Sequence, residues 1–176
     1  MLIELMIVVA IVGVLAVLAV YGVRRYVSNA KTAEAKSGVG QMSKDALTKY
    51  EGELVSGLTM TGGTSTAVVH DVCLTASAGV PTVAPQGKKY QSTPAEWAVD
   101  GAAVPARGFA CLHFEMSLPQ YFSYNAEGVS ATRFRAAAAG DLNGDGVTSL
   151  FYQDGSIIIN NRLHVAPSIG ESNPDA

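Results

Sequence analysis

Three oxygen-bearing side chains, Asp141, Asn143 and Asp145, alternate along a short loop that ends at Gly146. They occupy positions 1, 3 and 5, with glycine at position 6, as in the first half of an EF-hand calcium loop. Position 12 is Tyr152, where an EF-hand has a bidentate glutamate, and the flanking segments read as strands. The alternative is a turn held by its own side-chain hydrogen bonds. Calcium is therefore a candidate ligand of this loop, and no cofactor is predicted to be required.

The chain has two cysteines, Cys73 and Cys111. In an exported head domain a disulfide is their natural state. It would close a loop of about 39 residues and stabilise the fold by roughly 4 kcal/mol in the chain-entropy model. We expect it to join a loop-rich segment to the first strand of the predicted sheet. The alternative is a pair of buried free thiols.

The remaining chemistry-bearing residues form no catalytic pattern. His70, His113 and His164 lack the spacing of metal ligands, and His113 alternates with Leu112 and Phe114 as an exposed strand residue would. The sequence has no nucleophile elbow and no phosphate-binding loop, so we predict that the chain is not an enzyme. A net charge of -3 gives no basic footprint for nucleic acid.

The element that must position these residues begins with an apolar N-terminal segment. From Met1 to Val20 the only ionisable side chain is Glu4, and the next charges are Arg24 and Arg25. As a helix this run would be about 30 Å long, the thickness of the hydrocarbon core of a bilayer. A secretory signal peptide fits poorly, because a basic n-region and Ala-x-Ala cleavage chemistry are missing. A plain anchor does not explain Glu4, whose charge is costly in lipid unless it is paired or lies near the interface.

The helical pattern continues beyond this run. Apolar residues recur at steps of three and four as far as Tyr50, which predicts one helix to about Glu51, roughly 75 Å long. Residues 1–22 are apolar on every side, and residues 23–52 on one side only, so the second half should dock on a globular domain. Gly13 and Gly22 each cost about 1 kcal/mol in a helix. They indicate either close approach between helices or local softening.

The rest of the chain divides into a loop-rich segment, residues 53–108, and a strand-rich one, residues 109–176. Short strands are predicted at 66–72 and near 97–99, turns at Glu127-Gly128 and Asp154-Gly155, and a loop from Pro167 to the end. The predicted strands of the second segment are Phe109–Met116, Tyr121–Asn125, Ala131–Ala138, Thr148–Gln153 and Ser156–Asn160. The predicted fold class is α+β: a long N-terminal helix packed on a C-terminal antiparallel sheet of about four strands.

The segment Leu2-Ile-Glu-Leu-Met-Ile-Val-Val-Ala-Ile-Val-Gly-Val-Leu-Ala16 resembles the start of a mature type IV pilin. The resemblance implies cleavage of a leader by a prepilin peptidase, methylation of the new N-terminus at Met1, and an inner-membrane stage before assembly. The pilus assembly machinery would then build a helical filament of identical subunits, used for adhesion, motility or surface contact. Downstream, Lys88-Lys-Tyr-Gln91, the single Trp97, Cys111-Leu112 and the Gly140–Gly146 loop resemble myxobacterial pilins, which favours a type IVa major pilin.

The resemblance gives Glu4 the role of neutralising the N-terminal amine of a neighbouring subunit. A carboxylate and an ammonium in a dry bundle are each costly alone and tolerable together. The alternative is a glutamate at the membrane surface. The family's glutamate is normally the fifth mature residue and here it is the fourth, so either one residue is absent or the register differs by one. Four charged residues on the exposed face of the helix either form salt bridges between subunits or belong to a solvated helix face: Arg24, Arg25, Lys31 and Glu34.

The family usually has a proline where this chain has Tyr21. That proline kinks the helix and helps it to unwind inside filaments. Here we predict an extended stretch in the filament between Gly13 and Gly22. Two other functions stay open: a minor pilin or type II secretion pseudopilin, which shares this N-terminus, and a membrane-anchored calcium-dependent binding module, in which the helix is only a tether.

Overall fold

The computed structural model describes residues 2–52, 54–55, 68–101, 107–158 and 161–174. Within these ranges the predicted α+β fold is confirmed, because a long N-terminal helix packs on a C-terminal antiparallel sheet. The elements before the main sheet are α1 (Leu2–Glu51), β1 (Leu54–Val55), β2 (Val68–Val69), α2 (Pro94–Trp97) and α3 (Gly108–Leu112). The main sheet contains β3 (Ser123–Ser130), β4 (Arg133–Gly140), β5 (Ser149–Ile158), β6 (Arg162–Val165) and β7 (Gly170–Ser172).

Helix α1 is continuous over 50 residues, about 75 Å. No proline interrupts it, and Glu4 in its first turn and Lys49 in its last turn both suit the helix dipole. Gly52 follows the helix and donates its N–H to the carbonyl of Thr48. We call residues 2–22 the apolar half and residues 23–52 the amphipathic half. The part of the described chain from residue 68 onward, which packs on the amphipathic half, is the head.

The amphipathic half docks on the head along one stripe, as the sequence predicts. The stripe recurs at steps of three and four, and its buried residues are Thr32, Ala35, Gly38, Val39, Met42, Ser43, Ala46 and Tyr50. Strands β3 to β6 all contact α1, and the stripe meets Phe122, Tyr124 and Phe151, which are fully buried. Small and medium side chains on the helix thus allow close approach to a sheet face built from aromatic rings.

The main sheet is antiparallel, with strand order β3-β4-β5-β6. Strand β7 pairs with the N-terminal part of β5 and β6 with its C-terminal part. The isolated bridge between Val80 and Tyr124 places the loop-rich segment along the outer edge of β3. The meander topology is as predicted, but several element boundaries are not.

The predicted strand Phe109–Met116 is wrong, because its first part forms α3. Gly108, the first residue of the helix, adopts φ 57°, and His113 adopts φ 58° as its left-handed C-cap. Phe109 and Leu112 both face the core, at the spacing of a helix face. The alternation through this segment was therefore only apparent, and His113 caps a helix instead of lying on a strand.

Both predicted glycine turns are wrong. Gly128 lies within β3 and Gly155 within β5. A Cβ at Gly128 would lie 2.6 Å from the carbonyl oxygen of Cys73, and one at Gly155 would overlap the ring of Phe134. These glycines admit close neighbours, whereas the turn between β3 and β4 falls at residues 131–132.

Two further expectations are corrected. The strand predicted near 97–99 is replaced by α2, in which Pro94 opens the helix and the Glu96 carboxylate accepts bonds from the N–H and hydroxyl of Thr93. The tail predicted as loop contains β7, because Gly170 lets the ring of Tyr152 lie over its backbone. Of the strand predicted at 66–72, β2 covers residues 68–69, and part of the prediction lies outside the described residues.

Candidate functional site: the N-terminal helix and its joint with the head

The apolar half of α1 packs against nothing in the described chain. Its fifteen large apolar side chains, from Leu2 to Tyr21, are each more than half exposed. Burying one such side chain is worth about 1.5–3 kcal/mol, so the exposed set represents on the order of tens of kcal/mol. By length and composition only, α1 contains a segment that could cross a membrane. An apolar surface of this size requires a lipid or protein neighbour.

Glu4 lies in the first turn of α1 and is exposed among apolar neighbours that include Leu5 and Val8. Its position places the side chain at the positive end of the helix dipole, where an acidic residue suits the helix. Met1, whose amine the resemblance pairs with this carboxylate in a neighbouring subunit, lies outside the described residues. The pairing between subunits stays a prediction.

The glycines of α1 differ in whether close packing by a neighbour excludes a larger side chain. A Cβ on Gly38 would overlap the ring of Tyr124, so close packing of the head explains that glycine. A Cβ on Gly13 or Gly22 would meet nothing within 4 Å. Their helix-propensity cost, about 1 kcal/mol each, is therefore not offset by any packing in the described chain. The helix is continuous through Gly13 and Gly22. The extended stretch expected between them inside a filament stays a prediction.

Arg24 and Arg25 follow the apolar half directly and are exposed. Among the described residues, neither has a carboxylate within salt-bridge distance. The two alternatives for this pair, a contact between subunits and a solvated face, are both compatible with this geometry. Tyr21 and Tyr26, on either side of the pair, are 66% and 75% exposed.

Glu34 joins the helix to the first strand of the sheet. The backbone N–H of Tyr121 donates to its carboxylate at 2.7 Å, and the hydroxyl of Tyr124 donates to its carbonyl at 3.4 Å. Burial raises the pKa of the Glu34 carboxyl, while the Tyr121 N–H and the Lys89 ammonium act in the opposite direction. Sequence reasoning treated Glu34 as part of an exposed charged face, and this contact was missed.

Two lysines on α1 make further contacts at the joint. The Lys31 ammonium lies 4.6 Å from the centroid of the Tyr121 ring, and the Lys89 ammonium lies 5.1 Å from it. Lys36 pairs with Glu171 of β7 at 2.8 Å and lies 5.6 Å from the ring of Phe151. These contacts fix the helix at the edge of the head that lies nearest the apolar half.

The predicted disulfide between Cys73 and Cys111 is present, with Cα atoms 5.9 Å apart. It joins the segment before β3 to α3, so the expectation that it ends on a strand is wrong. Trp97 of α2 packs edge-on against Phe109 of α3, with ring centroids 4.8 Å apart. The disulfide and this aromatic pair together hold α2, α3 and the loop-rich segment over the core.

The candidate calcium loop satisfies its own oxygens. Asp141 is buried, and its two carboxylate oxygens accept the N–H groups of Gly144 and Gly146. Asn143 accepts the N–H of Asp145, whose carboxylate accepts the N–H of Val147. This geometry is the hydrogen-bonded turn of the alternative interpretation. Across the described residues, no three His, Cys, Asp or Glu side chains form a metal-binding group. A calcium ion would have to replace these bonds, and its binding stays a prediction.

A polar cluster on the outer face of the sheet was also missed. Arg135 and Asp154 are cross-strand partners, and the guanidinium donates two hydrogen bonds to the carboxylate, at 2.7 and 3.0 Å. The Arg135 guanidinium lowers the pKa of the Asp154 carboxyl and lies 4.6 Å from the centroid of the Tyr152 ring. The Asp154-Gly155 pair resembles a hairpin turn in sequence, which concealed this role.

Comparison of the chain with models of protein families, with curated proteins and with solved structures found no match.

Proposed function

We propose that this chain is a structural subunit of a type IV pilus, which assembles through the apolar half of α1 into an extracellular filament. One observation carries the proposal: the two halves of one helix differ in their partners. The amphipathic half is docked on the head, while the apolar half is exposed on every side. Copies of the same half can cover one another in a bundle, with the heads outside.

Three further features support assembly over a plain tether. A tether needs only apolar length, yet the apolar half carries the carboxylate of Glu4 and two glycines whose added Cβ would meet nothing within 4 Å. Small residues let helices approach closely inside apolar bundles. The small residues of this half, Ala10, Gly13, Ala16, Ala19 and Gly22, recur every three positions and so wind around the helix. Such winding suits neighbours on several sides.

The proposed role of Glu4 follows from the resemblance to pilins. Its carboxylate neutralises the N-terminal amine of a neighbouring copy as the apolar halves leave the membrane. Arg24 and Arg25 lie where the helix emerges, at the membrane surface before assembly and at the edge of the filament core afterwards. The subunit is anchored in the bacterial inner membrane before assembly and is extracellular in the filament.

Replacement of Glu4 by Ala tests this function against the tether. The chain is produced with a pilin leader in a bacterium that has the assembly machinery but lacks its own pilin. Glu51→Ala is the matched control, because Glu51 is an exposed glutamate at the other end of the same helix. We expect surface filaments from the wild type and Glu51→Ala, and none from Glu4→Ala despite a normal membrane level. Equal surface display of the head by all three would favour the tether.

Calcium titration tests the runner-up function, a calcium-dependent binding module. Because the Asp141–Gly146 loop is closed by its own hydrogen bonds, we expect an unchanged unfolding temperature on adding calcium. A calcium-dependent rise that disappears in Asp145→Asn would establish the ion site and favour the module.

A further inference from the structure

The length of the apolar half and two tyrosines place the membrane surface along α1. Residues 2–21 span about 30 Å, the thickness of a hydrocarbon core. Tyr21 and Tyr26 are both largely exposed and lie at the end of this span. Tyrosine is enriched at membrane–water interfaces because its ring is apolar and its hydroxyl is polar. The two tyrosines therefore mark the level of the lipid headgroups.

The charged side chains of α1 near the level of the two tyrosines are all basic. Between Glu4 and Glu34 the chain contains no acidic residue, whereas it contains Arg24, Arg25 and Lys31. We call these three residues the collar. Lys31 follows Arg24 by seven residues, two helical turns, so the two lie on one face about 10 Å apart. This distance is close to the range of an electrostatic interaction at physiological salt.

Helical periodicity gives the side of α1 on which Arg24 lies. Arg24 precedes Met42 by eighteen residues, five turns, and Met42 is buried under the head. Arg24 thus lies on the head's side of the helix, in the gap between the head and the membrane surface. Lys31 is held at the joint, because its ammonium packs over the ring of Tyr121.

The head also places charged side chains at the edge that faces the collar. Lys88 and Lys89 are exposed on the membrane-proximal edge. The acids of this edge are engaged: Glu34 by the Tyr121 N–H, Glu171 by Lys36, and Asp141 by its own loop. Asp145 is exposed in that loop, so this edge carries one exposed acidic side chain beside the two lysines. Within the described residues, the positive charge of Arg24 and Arg25 is not balanced by any carboxylate at salt-bridge distance.

We propose that the collar binds the phosphate headgroups of anionic phospholipids while the chain is anchored in the membrane. This inference rests on the membrane-anchored stage of the proposed function. With the head exported, the arginines face the exported side, whereas Lys and Arg usually collect on the cytoplasmic side. Anionic headgroups at the tyrosine level supply the counter-charge, and the phosphate oxygens suit the fork of donors on each guanidinium.

Boundary-lipid selectivity measures this binding directly. The full chain is reconstituted in phosphatidylcholine vesicles with a minor share of phosphatidylglycerol, and spin-labelled forms of both lipids report which one occupies the protein boundary. One basic residue at an anionic surface contributes about fivefold. Because the variant removes two such residues and keeps Lys31, we expect Arg24→Gln/Arg25→Gln to lower the wild-type preference for phosphatidylglycerol by at least about fivefold. Added salt should also lower the wild-type ratio.

The matched control is Lys44→Gln/Lys49→Gln, which removes the same charge from the same helix about 30 Å farther from the membrane. It should keep the wild-type ratio. Equal ratios for the wild type and the arginine variant would overturn the proposal. So would a wild-type ratio near one with loss of filaments only in the arginine variant, which would assign the arginines to a neighbouring copy.

Filament formation by the same variants is scored by electron microscopy in the bacterial host that supplies the assembly machinery, so that the two proposals fail separately. A wild-type chain that selects phosphatidylglycerol but never forms filaments supports the collar and refutes the pilin function. A chain that forms filaments without lipid selectivity refutes the collar alone.

Discussion

The two halves of α1 share a backbone and an apolar character but differ in their partners. Met42 in the amphipathic half is completely buried, whereas Met6 in the apolar half is 68% exposed. Gly38 is required by a ring of the head, whereas Gly13 meets nothing of its own chain. Within the described chain, one half is an internal part of a folded domain and the other is a surface without an internal partner.

This difference shows how one continuous helix can serve two environments. The amphipathic half buries a single stripe and leaves charged side chains such as Lys44 in water. The apolar half has no polar stripe, so water is a poor solvent for every side of it. Substitutions in the amphipathic half should therefore change the stability of the head, and substitutions in the apolar half should change association with lipid or with other copies.

Removal of the disulfide should have the largest effect on the head. Replacing Cys73 and Cys111 together by Ser releases a loop spanning a sequence separation of 38 residues and should cost about 4 kcal/mol. Guanidinium unfolding in detergent, followed by the fluorescence of the single, buried Trp97, measures this loss. Far-UV circular dichroism should still report a helix from the apolar half in the variant. A loss of unfolding free energy below about 1 kcal/mol would contradict the stabilising role of the disulfide.

The matched pair Met42→Ala and Met6→Ala tests the comparison next. Met42→Ala leaves a cavity under the sheet and should lower the unfolding free energy of the head by about 2–5 kcal/mol. Met6→Ala removes the same atoms from a side chain outside the core and should leave that free energy unchanged. The same fluorescence measurement serves both variants. Equal losses would mean that the two halves are not independent.

Glycine substitution gives a smaller effect whose sign differs between two sites. Gly38→Ala places a methyl group against the ring of Tyr124 and should cost about 1–3 kcal/mol. Gly40→Ala, two residues away, adds a methyl group with nothing within 4 Å and should stabilise by about 0.5–1 kcal/mol through helix propensity. Unfolding midpoints of the two variants, compared with the wild type, decide the matter. Stabilisation by both would exclude close packing at Gly38.

The smallest predicted effect is the pH dependence of Glu34. Burial raises the pKa of its carboxyl in the folded chain. The folded state therefore holds this proton more tightly, so this contribution is complete at low pH and is lost as the pH rises through the raised pKa. Glu34→Gln keeps an oxygen for the Tyr121 N–H and should flatten this decline. The gain at neutral pH should stay below about 1 kcal/mol, because the carboxyl is only half buried.

Glu96→Gln is the control of opposite sign. The Tyr90 hydroxyl and the Thr93 N–H hold the pKa of the Glu96 carboxyl below its usual range. Its contribution is therefore present at neutral pH and lost as the pH falls through that lowered pKa. Unfolding curves across the acidic range compare the two variants. Similar pH profiles for both would contradict the assignment of burial as the cause at Glu34.

The long helix and its docked stripe could be predicted from the sequence because both depend on local periodicity. Ala35, Val39 and Met42 recur at helical spacing, and the structure buries them together. The disulfide could be predicted because the chain has only two cysteines. The function could be proposed from the apolar N-terminus, but no feature of the fold tests it.

The boundaries in the head could not be predicted, because the meaning of a glycine depends on neighbours that are distant in sequence. Gly155 faces Phe134 on the adjacent strand, and Gly128 faces the backbone of Cys73. In the sequence both look like turn residues. The contact between Glu34 and Tyr121 was missed for the same reason, since 87 residues separate the two partners. The start of α2 was missed as well, although Thr93-Pro-Ala-Glu96 is a capping-box sequence that could have indicated it.

Electron cryomicroscopy of material assembled from the full chain tests the central claim most directly. The account predicts filaments of this single subunit, with residues 2–22 of every copy packed together at the axis and the heads on the outside. The same map would show whether the stretch from Gly13 to Gly22 is helical or extended. Separate copies in membranes, or a filament whose axis is formed by the heads, would contradict the claim.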